Sequence, residues 1–336
     1  VVRFPILSLA LLLMISSHGA TLYPIGSSKN QLGFEQLSPP RAIIASTFYP
    51  ARQEGPDVPA AEGRFPALLY FPGWGADVNV NTRLVRHLAS HGFVVIAVGY
   101  PVGAGIPDAK VPMQFGSDDA FAAGTEQGNR MVRIEAEDGS AILSEIEDGI
   151  PLPGLPHIDL TRVGALGYSL GGSVAAQLVL TDKRVRAVMN LDGWMFGDVA
   201  TKFFSAPYLV ISDDLPPPTT SELASPDAFT RNFATLRARD AKQQTAQLQK
   251  SGGYRVTIVG SSHFTFSDFA KANENHAGPI DPKAALEIVA DCAADFFGHC
   301  LGGQPSTVLE SVWGGKSVRL ETFPSPITAQ SSPSSR

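Results

Sequence analysis

Arg162-Val163-Gly164-Ala165-Leu166 leads through Gly167-Tyr168-Ser169-Leu170-Gly171 into Gly172-Ser173-Val174-Ala175-Ala176-Gln177-Leu178-Val179-Leu180. The first segment is short and apolar, as a buried strand is, and the last opens on small residues and continues as a helix. Between them stands G-x-S-x-G, which carries weight here because it joins strand to helix. A serine on so tight a turn holds strained backbone angles, and the flanking glycines let two backbones approach where a Cβ would collide. The turn exposes Ser169 Oγ above a sheet. It also directs the Leu170 N–H, at a helix N-terminus, toward the place where an oxyanion would form.

Outward from this turn, residues 93–98 are apolar on both faces, which suits a central strand covered by helices on each side. Residues 41–50, 65–71, 185–191, 207–212 and 254–259 read as further strands, and 81–91, 130–146 and 284–297 as helices. Such alternation predicts an α/β fold with a mostly parallel central sheet covered on both faces. Residues 100–128 are rich in Gly, Pro and Asp without clear periodicity, so an irregular excursion is expected there, of the kind in which lids occur. The expected organisation is a leader over 1–20, one domain over 21–323, and a Ser/Pro-rich disordered tail over 324–336.

With 336 residues, 44% of them hydrophobic, the chain can bury a large core. Its net charge of −6 is spread without long runs of one sign, so no basic surface for nucleic acid and no polybasic membrane patch is expected. Arg3, the apolar run over 4–15 and Ser16-Ser17-His18-Gly19-Ala20 follow the order of a secretory signal, too short for a comfortable membrane span. Cleavage near Gly19 or Ala20, a secreted or periplasmic product and no stable membrane span afterwards are the expectation. Cys292 and Cys300 are the two cysteines, and an isolated pair in an exported protein is more often bonded than free. In one uninterrupted helix they would stand about 12 Å apart, beyond disulfide reach, whereas a stop at Gly298 would fold Cys300 back. The sequence leaves that bond open.

An elbow serine needs a histidine to take its proton and a carboxylate to orient that histidine, in the chain order Ser, acid, His. His263 follows an apolar strand and lies in Ser261-Ser262-His263-Phe264, a strand-end loop where catalytic residues of open α/β sheets collect. His276 and His299 read as surface residues, and His87 and His91 as helix-face or capping residues. For the acid, Asp192 ends the strand after the elbow helix, while Asp213 and Asp214 end the next. The usual acid on that second strand sits farther round the turn, where this chain has Leu215-Pro216, so Asp192 is favoured. The second oxyanion donor is expected from Gly73-Trp74-Gly75. Trp74 is the choice, since Pro72 has no N–H. No phosphate loop, dinucleotide fingerprint or metal-ligand spacing appears, so no cofactor and no metal is expected.

Ser169 within Gly-Tyr-Ser-Leu-Gly-Gly, Asp192 within Leu191-Asp192-Gly193-Trp194-Met195-Phe196, and His263 followed by Phe264-Thr265-Phe266-Ser267-Asp268-Phe269 resemble the platelet-activating factor acetylhydrolase family of α/β-hydrolases over roughly residues 40–300. The resemblance implies a calcium-independent serine ester hydrolase acting on a small-molecule or lipid ester. It assigns Ser169 as nucleophile, Asp192 as acid, His263 as base, and the Trp74 and Leu170 N–H groups as the oxyanion hole. One departure is Pro72-Gly73, where relatives carry His-Gly. Trp194, Met195, Phe196 and Phe264 flank the acid and base and read either as an acyl-pocket wall or as packing. Two rival readings are a broad esterase resembling cutinase-like or dienelactone hydrolase relatives, and a non-catalytic binding protein on the same fold.

Overall fold

The computed structural model describes residues 14–15, 21–101, 111–149, 156–270, 278–306, 309 and 317–324. The chain forms β1 (Ile25–Phe34), β2 (Arg41–Pro50), β3 (Arg64–Phe71), α1 (Thr82–Ser90), β4 (Val94–Gly99) and α2 (Asp118–Glu147). It continues through β5 (His157–Tyr168), α3 (Leu170–Thr181), β6 (Val185–Leu191) and β7 (Tyr208–Ser212). The last elements are α4 (Ala228–Ser251), β8 (Gly253–Ile258), α5 (Pro282–Gly302) and β9 (Val318–Phe323).

These strands share one sheet in the order β9-β8-β7-β6-β5-β3-β4-β2-β1, with the two-residue strand Gly55–Pro56 at the β1 edge. The middle is parallel: β8 on β7, β7 on β6, β6 on β5, β5 on β3 and β3 on β4. The flanks are antiparallel, with β9 on β8, β2 on β4 and β1 on β2. All six residues of β4 are buried, and so are Phe65 to Phe71 of β3, as central strands covered on both faces require. Alternate side chains then feed two cores. Leu69 and Phe71 join Val132 and Leu143 of α2 and Val174 and Leu178 of α3 on one face. Leu68 and Tyr70 join Leu84 and Leu88 of α1 and Val289 and Phe296 of α5 on the other. The expected doubly covered, mostly parallel sheet is thus what forms. Among the described residues no helix is long and apolar enough to cross a membrane.

Several elements differ from the sequence reading. The stretch 118–128, expected to be irregular, is the first third of α2, capped by the Ser117 side chain, which accepts from the Ala120 N–H. Its apolar period is interrupted at Gly128, where a Cβ would come within 3.2 Å of both the Phe196 and the Trp74 rings. The glycine there makes room for aromatic rings, so the helix buries its face without an apolar side chain to advertise it. Residues 102–110 of the same expected excursion lie outside the described residues, as do most of the expected leader and nearly all of the expected tail. α5 runs through Gly298 and ends at Gly303, whose φ of 66° is the left-handed C-cap geometry. Both cysteines therefore stand on one helix, with free thiols whose pKa burial raises.

At the turn between β5 and α3 the backbones are in closest approach. A Cβ on Gly171 would lie 2.1 Å from the Phe71 carbonyl oxygen, and one on Gly167 2.0 Å from the Gly171 carbonyl oxygen. Backbone cannot step aside as a flexible side chain can. Gly171→Ala is therefore expected to lose about 3 kcal/mol of stability, the upper end of ordinary overpacking costs, measured by denaturant unfolding. An unchanged midpoint would contradict the close approach.

Candidate active site

Ser169 caps α3 with φ 56° and ψ −125°, a region that L-residues occupy only when their surroundings hold them there. Its N–H donates to the Leu191 carbonyl at 2.9 Å, and its carbonyl accepts from the Gly172 N–H at 3.0 Å. The strain is anchored on both sides. Leu170 is the first residue of α3, so its N–H belongs to the group that has no partner within the helix and lies at the positive end of the dipole. The loop after β3 passes directly against this turn: a Cβ built on Gly73 would be 3.1 Å from Ser169 Cβ and 3.6 Å from Oγ. That proximity brings the neighbouring Trp74 backbone to the serine, whereas the Trp74 indole packs edge-on against Phe196, centroids 6.4 Å apart.

Asp192 leaves the end of β6 with φ 52°. Oδ1 accepts from the Asp213 N–H at 2.9 Å, and Oδ2 lies 2.6 Å from His263 Nδ1. The ring nitrogen facing a carboxylate carries the proton, which leaves Nε2 as the acceptor. Tyr168, the residue before the elbow serine, lies stacked against the His263 ring at 4.9 Å, and its hydroxyl donates to the His263 carbonyl at 2.9 Å. From the other side, Asn81 donates to the Phe266 carbonyl at 2.5 Å and holds the His263–Phe266 turn.

The competing carboxylates have other partners. Asp214 accepts from the Gly260 N–H at 2.9 Å and pairs with Arg319, joining β7 to β8 and β9. Asp213 contributes its backbone to Asp192, and its side chain accepts from the Leu215 N–H at 3.2 Å. Burial, and then the charge of Asp192, push the Asp213 carboxyl up to about 6. For His263, burial acts to lower the pKa, but the hydrogen bond and charge of Asp192, with the charge of Asp213, outweigh it and raise the imidazole above its ordinary value.

Two expectations follow. Chemistry that needs neutral His263 should rise with pH through a midpoint above the ordinary imidazole value of about 6.5, read from the pH dependence of kcat/KM. Asp213→Asn removes one charge that raises it, so the midpoint should move down. A carboxyl raised by folding favours the protonated folded state, so the stability it confers is present at pH 4 and is lost as pH rises through about 6. Asp213→Asn should accordingly gain on the order of 1 kcal/mol at pH 8 and nothing at pH 4, by denaturant titration at both pH values. A variant destabilised at pH 8 would refute this.

Of the four residues expected around an acyl pocket, Trp194 is half-buried, Phe264 is 44% exposed beside His263, and Phe196 is buried between Trp74 and Trp194. Met195 is fully buried, as Phe196 is, and its sulfur lies 3.7 Å from the Tyr208 hydroxyl. Sequence reasoning missed Tyr168 and the Asp213 N–H. The first is the variable position of G-x-S-x-G and the second a backbone group, so neither has a side-chain pattern to reveal it. Among the described residues no cluster of His, Cys, Asp and Glu is placed to hold a metal ion.

A strained serine between a central parallel strand and a helix, on a mostly parallel sheet covered on both faces, defines an α/β-hydrolase fold. The chain accordingly superposes on the structure of a ferulic acid esterase from Streptomyces cinnamoneus with a TM-score of 0.67, at 19% identity, over 88% of this chain and 96% of that one. In sequence it is similar to the platelet-activating factor acetylhydrolase of Cavia porcellus, 25% identical over 312 residues that cover 80% of this chain and 65% of that protein. The Bos taurus protein of that name is 24% identical over 72% of this chain and 58% of its own length. A probable 1-alkyl-2-acetylglycerophosphocholine esterase of Arthroderma benhamiae is 27% identical over 40% of this chain and 32% of its own. The matched spans are therefore less than two thirds of these curated relatives. No protein-family model matches the chain. The resemblance read from the motifs is borne out by these relatives.

Proposed function

We propose that the chain is a serine carboxylic-ester hydrolase that works through an acyl-enzyme. The observation that carries this reading is the 2.6 Å contact between His263 Nδ1 and Asp192 Oδ2, on a histidine stacked against the residue that precedes the elbow serine. His263 Nε2 takes the proton of Ser169 Oγ as the oxygen attacks the ester carbonyl, and the Trp74 and Leu170 N–H groups stabilise the tetrahedral oxyanion. The C–O bond to the alcohol then breaks, with His263 returning the proton to the leaving oxygen. Water, deprotonated by His263, releases the acid and restores Ser169. Asp192 holds the imidazole tautomer and offsets its transient positive charge. Export behind a leader over residues 1–20 belongs to the same reading, and N-terminal sequencing of the mature protein tests it.

The substrate class proposed is a phospholipid with a short or oxidised acyl group, or another short-chain ester, a choice supported by the names of the sequence relatives. Parallel assays on 1-alkyl-2-acetylglycerophosphocholine, its 2-palmitoyl counterpart, p-nitrophenyl acetate and a polyester film test it. The expected result is turnover of the acetyl lipid and the aryl ester, with kcat/KM for the palmitoyl lipid lower by about 100-fold, as an acyl chain too long for its pocket requires. Turnover of the film and the aryl ester without either lipid would replace the proposal with a broad esterase.

A further inference from the structure

The turn that carries Asp192 is held by side chains from α4, whose polar pattern reads as a solvated surface. We infer that Arg239 and Asp240, adjacent on α4, form a clamp on Met195 that positions both the acid and the oxyanion loop; the inference rests on the proposed roles of Asp192 and Trp74.

The clamp closes on both backbone polar groups of one residue. The Met195 N–H donates to Asp240 Oδ2 at 2.9 Å, and the Met195 carbonyl accepts from Arg239 Nη2 at 2.9 Å. Arg239 Nε donates in turn to Asp240 Oδ1 at 2.7 Å, so the two side chains brace each other as they grip the turn. The pair offers Met195 one acceptor and one donor, as a neighbouring strand would. One turn farther along α4, Gln244 donates to the Gly193 carbonyl at 2.8 Å.

Two features tie this grip to catalysis rather than to packing alone. Asp192 stands three residues before Met195 with a positive φ, a conformation that persists only where neighbouring contacts over-determine it. Release of Met195 would free that angle to relax, and with it the direction of the carboxylate toward His263. On the other side of Met195, Phe196 is capped by the Arg239 guanidinium, 5.3 Å above its ring, and meets Trp74 edge-on. The same guanidinium thus supports the ring against which the oxyanion loop rests. Asp240 is almost wholly buried, and a buried carboxylate needs such a satisfied network to be tolerated.

Arg239→Lys keeps the charge but cannot span Asp240 Oδ1, the Met195 carbonyl and the Phe196 ring at once. In this variant kcat for p-nitrophenyl acetate is expected to fall about 10- to 100-fold, with KM changed less than about 3-fold, because positioning and not affinity is lost. The His263 titration midpoint, followed by NMR of the imidazole, should move down toward the ordinary value of about 6.5 as the Asp192 contact loosens. Asp240→Asn should do the same, since its amide turns a donor toward Arg239 Nε. Arg184→Lys is the control: it loosens a comparable ion pair with Asp182, at the far end of α3, and should leave both readouts in place. Wild-type kcat and His263 midpoint in a folded Arg239→Lys protein would overturn the inference, as would an equal shift in the Arg184 control. A His263 shift in a protein that hydrolyses no ester would leave the clamp standing and remove the hydrolase reading instead.

Discussion

Asp192→Asn is expected to lower kcat for ester hydrolysis by about 10,000-fold with little change in fold, because the amide accepts only on one side and selects the wrong imidazole tautomer. In the native site one carboxylate oxygen takes the Asp213 N–H and the other faces His263 Nδ1. An asparagine that keeps its oxygen on the Asp213 N–H presents an NH2 to His263, so Nδ1 must accept and Nε2 carries the proton. A protonated Nε2 cannot take the proton of Ser169. Asp214→Asn should cost less than about 10-fold, since that carboxylate meets the Gly260 N–H and Arg319 instead of the histidine. Kinetics of the two variants on one aryl ester decide the matter, and a larger loss at Asp214 would move the acid to the end of β7. Asp213→Asn, which leaves its backbone N–H on Asp192, should fall between them.

Ser169→Ala should leave no more than the residual catalysis of the oxyanion hole and binding, about 1,000- to 10,000-fold over water and far below the wild type. The effect is large because His263 and Asp192 act only through this oxygen. The fold should tolerate the change: alanine holds the same strained φ of 56° and loses nothing that the backbone contacts to Leu191 and Gly172 supply. Circular dichroism and thermal unfolding of the variant therefore separate loss of chemistry from loss of structure. Substantial turnover in a folded Ser169→Ala protein would place the nucleophile elsewhere.

The parts of the molecule visible in the sequence were those whose physics repeats along the chain. The central strands announce themselves by burial on both faces, and Gly171 by a backbone contact that excludes a Cβ. In the sequence Asp213 and Asp214 come directly after Ile211-Ser212, short of where the usual acid of that strand sits, which favours Asp192, and in the structure the Asp192 carboxylate lies beside His263. β1 was hidden because Ile25-Gly26-Ser27-Ser28-Lys29-Asn30 is polar, and it forms through ten paired positions with β2 rather than through its own pattern. α4 was hidden for a related reason. Its Arg, Asp and Gln side chains look like a solvated surface in sequence, but Asp240 and Gln247 are buried and bond the backbone of other segments. Contacts of polar side chains to distant backbone leave no periodic trace, and the clamp on Met195 is of that kind.

The proposed hydrolase requires Ser169 to be an activated nucleophile with His263 as its base. Incubation of the protein with a fluorophosphonate, followed by digestion and mass spectrometry, tests this most directly. The predicted result is a single phosphonyl adduct on Ser169, abolished in Ser169→Ala and strongly slowed in His263→Ala. An adduct on another residue, or none on a folded protein, would contradict the account.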